Sequence, residues 1–182
     1  MNRRSFLKGL LFFSSIFTFN LKASRKNNVS FNYGLASGDP TNTNIILWTK
    51  VSPTLNKDVT IKWQLSADKN FKNILSSGHV SAKYSNDFTV KVDVKVPNAF
   101  RGNKVFYRFH SNDTFSDTGI TNTLPQNNPE KYNIAFCSCS NHPAGYFNAY
   151  QEMAKNEDID LVLHLGDYIY AVSYTHLRAH ES

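Results

Sequence analysis

Leu161-Val162-Leu163-His164-Leu165-Gly166-Asp167-Tyr168-Ile169-Tyr170 opens as a buried strand, stops at a glycine and then presents an aspartate. Short continuous apolar runs suit strands covered on both faces, as in parallel sheets. In such sheets ligands and metals collect in the crevice beyond the carboxyl ends of the strands. Asp167 therefore falls where a hard-cation ligand belongs. Only twelve residues follow Tyr170, too few for the other strands and ligands of such a site, so the run reads as part of a truncated domain.

Upstream, Lys131-Tyr132-Asn133-Ile134-Ala135-Phe136-Cys137-Ser138-Cys139-Ser140 is a second short apolar run, and it ends in cysteines. Between the two runs Tyr146, Phe147, Tyr150, Met153 and Ala154 recur at helical spacing, with Pro143 and Gly145 near the start and Asn156 near the end. Linking parallel strands through a helix takes roughly a dozen residues or more, and the interval from Ser140 to Asp160 supplies them. The pattern predicts one βαβ unit, whose right-handed crossing puts both strand ends on one rim. Cys139 and Asp167 are thereby expected to share a site.

These residues resemble a known family. Ile134-Ala135-Phe136-Cys137-Ser138-Cys139, then Gly145-Tyr146-Phe147-Asn148-Ala149-Tyr150, then His164-Leu165-Gly166-Asp167-Tyr168-Ile169-Tyr170 are similar to the opening of the catalytic domain of PhoD-type alkaline phosphatases. Tyr33-Gly34-Leu35-Ala36-Ser37-Gly38-Asp39-Pro40-Thr41, with Ile45-Ile46-Leu47-Trp48-Thr49-Lys50, resembles that family's N-terminal β domain. The resemblance implies a secreted phosphomonoesterase and phosphodiesterase with an Fe(3+) and Ca(2+) centre in a metallophosphoesterase-like fold. By match, its metal ligands are Cys139, Asp167 and Tyr170.

Elementary chemistry agrees with those assignments. Iron(III) is a hard acid suited to phenolate and carboxylate, and a thiolate adds charge that holds the ion. A carboxylate can bridge two cations, so Asp167 can join iron to calcium. Each residue also has a plainer role: a strand-end cysteine is commonly a small buried hydrophobe, and an aspartate after glycine commonly a turn residue. Cys137 alternates with Cys139 and should face the same side, but no partner motif singles it out and it is read as structural; a Cys137–Cys139 disulfide is sterically awkward over so short a span. His164, inside the strand, is read as a satisfied buried histidine, and His142 as a loop residue near Cys139.

Residues 1–23 carry a different message. Asn2-Arg3-Arg4-Ser5-Phe6-Leu7-Lys8 precedes an apolar run from Leu10 to Phe19, the charged and apolar regions of a signal peptide. The run is far short of the roughly 20 residues that span a bilayer, so no mature membrane anchor is expected. Arg3 and Arg4 resemble a twin-arginine export motif, which implies the twin-arginine translocase as a partner and a periplasmic or extracellular location; a general secretory signal is the alternative. The chain's formal charge is +6, and Arg3, Arg4, Lys8 and Lys22 supply four of those charges with no acid among them, leaving +2. That remainder supports no nucleic-acid-specific binding, which needs a clustered basic face. Two cysteines are too few for a disulfide-stapled fold.

Between these ends the period switches to two. Strands are expected at 45–51, 59–65, 74–80, 88–96, 105–110 and 118–121, with a leading segment at 31–36. Phe88-Thr89-Val90-Lys91-Val92-Asp93-Val94-Lys95-Val96 alternates cleanly. Short strands at this density suit a sandwich, and Trp48 and Trp63 read as core or inter-sheet packing. The fold class is mainly β: an immunoglobulin or fibronectin III-like sandwich (29–124), a Pro- and Asn-rich linker (125–130) and the first βαβ unit of an α/β metallophosphoesterase-like domain (131–171). Residues 172–182 resemble a translated sequencing adapter and read as a non-native tail, so His176 and His180 are not taken as a metal pair. The functional expectation is a fragment of a phosphatase acting on phosphate monoesters and diesters, inactive at this length. The alternative is a secreted β-sandwich binding or adhesion module.

Overall fold

The computed structural model describes residues 27–140 and 146–167. The signal segment with Arg3 and Arg4, the loop residue His142, Tyr170 and the tail lie outside the described residues.

Residues 29–124 form two antiparallel sheets built from alternating strands. The smaller sheet sets β3 (Asn44–Lys50) between β2 (Leu35–Gly38) and β7 (Thr89–Lys95). The larger has the order β10 (Gly119–Thr121), β8 (Val105–Ser111), β5 (Val59–Ser66), β6 (Ile74–Ala82), and β9 (Thr114–Phe115) joins β8. A short pair, β1 (Val29–Ser30) with β4 (Ser52–Pro53), lies beside them. Period-two alternation turns Ile45, Leu47 and Thr49 of β3 toward Ile61, Leu65, Val105 and Phe109 of the other sheet. Each apolar side chain among these, removed from water, contributes about 1.5–3 kcal/mol. The buried Thr49 hydroxyl is satisfied, donating to the Gly34 carbonyl at 2.9 Å.

Three expectations need correction. The leading segment 31–36 is not one strand: β1 ends at Ser30, a turn carrying Gly34 at φ +74° follows, and β2 begins at Leu35. Trp63 packs against the core, but Trp48 has the opposite parity to Leu47 and Thr49 and lies on the outer face across from Lys91. The third concerns the helix. Phe147 sits at φ +53° in the left-handed region, so the helix α1 (Asn148–Lys155) starts after it, leaving Tyr146 91% exposed. Only Tyr150 and Met153 of α1 are half-buried, and Ala154 faces out.

The crossover itself forms as expected. β11 (Ile134–Cys137) and β12 (Leu161–His164) pair in parallel, in register from Ile134 with Leu161 to Cys137 with His164. Their faces stay open, with Phe136 69% exposed and Val162 49%. Every described residue of the two strands is half-buried or exposed, so the two-faced burial expected of a parallel strand is not reached. No described helix is long and apolar enough to cross a membrane.

Candidate metal centre at the strand ends

Beyond β11 and β12 the two chains stay zipped together. The Leu165 amide donates to the Cys137 carbonyl at 2.8 Å, Cys139 to Gly166 at 3.2 Å, and Ser140 to Asp167 at 3.1 Å. This extra ladder brings the Cys139 Sγ within 3.5 Å of the Asp167 Oδ2. The sharp turn that does so bends the backbone into the left-handed region at Cys139 (φ +60°), Gly166 (+117°) and Asp167 (+53°). Non-glycine residues held there cost about 1–3 kcal/mol each and cluster at functional sites.

A side-chain chain supports the turn from the helix side. The Gly166 amide donates to His164 Nδ1 at 3.3 Å, and His164 Nε2 meets the Tyr150 hydroxyl at 2.9 Å. The amide needs a lone pair on Nδ1, so a neutral ring carries its proton on Nε2 and donates it to Tyr150. Tyr150 is then free to donate its own hydrogen to Ser140 Oγ. His164 is thus a satisfied, half-buried histidine, as its position inside the strand predicts. Tyr150 and Ser140 were not singled out from the sequence; Tyr150's place on the inner stripe of the helix was the available signal.

A cavity of about 180 Å³ adjoins the pair, lined by Cys137 to Ser140, Phe147 and Tyr150. Cys137 and Cys139 are both free thiols, Cys139 being exposed. A larger groove of about 580 Å³ lies between the sandwich loop at Asp39 and the start of β12, without Cys139 or Asp167 in its walls. There Asp160 is used structurally, accepting the Asn133 amide at 2.8 Å. Burial, aided by the Asp160 charge, pushes the Tyr132 phenol up against the opposing pull of Asn122.

The thiol–carboxylate pair fits a cation. Metal–thiolate and metal–carboxylate bonds run about 2.3 and 2.1 Å, so donors 3.5 Å apart can share one ion. Among the described residues no group of three or more His, Cys, Asp or Glu is poised to hold a metal.

An all-β module leading into a parallel βαβ unit, with thiol and carboxylate brought together at the strand ends, defines a class of two-part proteins in which a β sandwich precedes an α/β sheet. Comparison with known proteins narrows the class. Residues 18–125 match the PhoD-like phosphatase N-terminal domain, and residues 134–182 match PhoD-like phosphatase. The chain is 38% identical over 173 residues to alkaline phosphatase D of Bacillus subtilis, covering 89% of this chain and 29% of that protein. A solved structure of PhoD superposes with a TM-score of 0.68 at 36% identity, covering 77% of this chain and 28% of that one. The chain belongs to the PhoD-like phosphatase family. It spans less than a third of the length of these relatives.

Proposed function

We propose that this chain is the amino-terminal part of an exported phosphoesterase that hydrolyses phosphate monoesters and diesters at an Fe(3+) and Ca(2+) centre. Cys139, Asp167 and Tyr170 are its first ligands. The approach of Cys139 Sγ to Asp167 Oδ2 at the carboxyl ends of parallel strands carries this reading. When bound, such metals supply Lewis-acid polarisation of the phosphoryl group. The chain's own residues do the rest: the paired strand-end amides fix both donors, and the Tyr150–His164 hydrogen bond braces the turn that presents them. Arg3 and Arg4 direct export through the twin-arginine translocase to the periplasm or exterior. A β-sandwich binding module without catalysis would leave the Cys139–Asp167 pairing without a role.

The test uses the protein extended to the length of its relatives. It should hydrolyse p-nitrophenyl phosphate, show a tyrosinate-to-iron charge-transfer band, and lose both on Tyr170→Phe. A colourless active enzyme indifferent to Tyr170→Phe and Cys139→Ser would sink the ligand assignment. An Arg3→Lys, Arg4→Lys reporter fusion that is still exported, or wild-type export without the twin-arginine translocase, would sink the export route.

A further inference from the structure

The outer face of the larger sheet carries a cationic grid far in sequence from the strand-end centre. Lys62 on β5 stands between its cross-strand partners His79 on β6 and His110 on β8. One row along, Gln64 stands between Ser77 and Arg108. Directly opposed residues of a sheet project to the same side. All of these therefore share the surface away from Ile61, Leu65 and Phe109, which fill the core.

Arg108 is held rather than loose. Its guanidinium lies 3.9 Å from the Phe71 ring centroid and 4.5 Å from that of Phe115, and its Nε donates to Gln64 Oε1 at 2.8 Å. Phe115 also stacks on His110, with centroids 4.9 Å apart. Yet among the described residues no carboxylate forms an ion pair with Lys62 or Arg108. The ion pairs among the described residues are Lys50–Asp87 and Lys155–Glu152, both elsewhere. Burial, opposed by the Asn112 carbonyl and helped by the charges of Lys62, Arg108 and His79, holds the His110 imidazole below the usual histidine range.

An immobilised, partly desolvated arginine beside an unpaired lysine is a poor arrangement alone and a good one around an anion. We propose that this face binds a phosphoryl anion, with Arg108 as a fixed fork, Lys62 as the second charge, and His79 and His110 flanking. A phosphoryl dianion matches two cations, the held Arg108 and the exposed Lys62 diagonal to it, where a carboxylate offers one charge, and the guanidinium fork suits its paired oxygens. The site stands independently of any metal at Cys139 and Asp167.

Calorimetric titration of the 182-residue chain in low-salt buffer with EDTA tests this, using inorganic phosphate, sodium polyphosphate and, at matched ionic strength, acetate. Phosphate should bind and acetate should not. Lys62→Gln and Arg108→Gln should each weaken phosphate binding about fivefold or more, with Lys91→Gln on the other sheet neutral. Polyphosphate binding more tightly per phosphoryl group identifies a polymer lying along the grid, and equal affinity identifies a single group. Lys62 is exposed, so its variant keeps the test open should Arg108→Gln fail to fold. Absence of phosphate binding, equal binding of acetate, or unchanged affinity in Lys62→Gln would overturn the proposal.

Discussion

Asp68 shows how one side chain shapes a loop. Its carboxylate accepts the amides of Asn73 at 2.7 Å, Lys72 at 3.2 Å and Asn70 at 2.9 Å, closing the connection from β5 to β6. Donation from the Asn73 amide, then those of Lys72 and Asn70, holds the carboxyl below its usual range, although desolvation pulls the other way. A carboxyl whose folded-state pKa is depressed contributes stability that is complete above its unfolded value and disappears as pH falls through the folded one. Asp68→Asn should therefore lower the thermal midpoint at pH 7, and the gap from wild type should close as pH drops from about 5 to below 3. A gap that stays constant across that range, followed by circular dichroism, would place the effect outside the ionised carboxylate. At this scale the sequence was uneven. The approach of Cys139 to Asp167 was legible because strand ends advertise themselves through apolar runs that stop. The Tyr150–Ser140 hydrogen bond was not, because the helical stripe turns Tyr150 inward but leaves no period from which its partner can be read.

Elements were legible wherever alternation ran long enough to fix both faces. β7 kept the parity of Val90, Val92 and Val94 inward, and β11 and β12 paired in parallel as their linking interval required. Two-residue strands such as β9 escaped because no period fits into them. Trp48 was misread because aromatic bulk suggested the core while its parity pointed outward. Aromatic bulk does lie inward where a glycine opposes it. The Trp63 ring covers Gly78 of β6, where an added Cβ would meet Trp63 ring atoms at 2.8–2.9 Å, and the Tyr107 ring covers Gly119 of β10 in the same way. Both pairs join neighbouring strands through a ring laid over bare backbone. Gly78→Ala should then destabilise the sandwich by about 1–3 kcal/mol through overpacking, although alanine is otherwise tolerated in strands. Chemical denaturation measures this directly. A neutral Gly78→Ala would mean that Trp63 has room to swing away.

At the scale of the whole molecule, the two parts differ in how completely they bury themselves. The sandwich encloses Leu47, Ile61, Leu65, Val105 and Phe109 with essentially no exposure. The β11–α1–β12 unit has no buried helix residue and leaves Ile134, Phe136, Val162 and Leu163 each more than two-fifths exposed. A unit of this size is marginal even when closed, since so little of its surface leaves water. Residues 29–124 expressed alone should unfold in one cooperative, β-rich transition, while residues 131–171 alone should show no cooperative transition. The same contrast bears on catalysis. Calcium takes roughly six to eight oxygen ligands, and the described residues bring together only the Cys139 thiol and the Asp167 carboxylate. The 182-residue chain, supplied with iron and calcium, should therefore hydrolyse p-nitrophenyl phosphate no faster than its Cys139→Ser, Asp167→Asn variant. Metal-dependent turnover by the 182-residue chain, abolished by that double substitution, would show that the pair assembles a working centre without further strands.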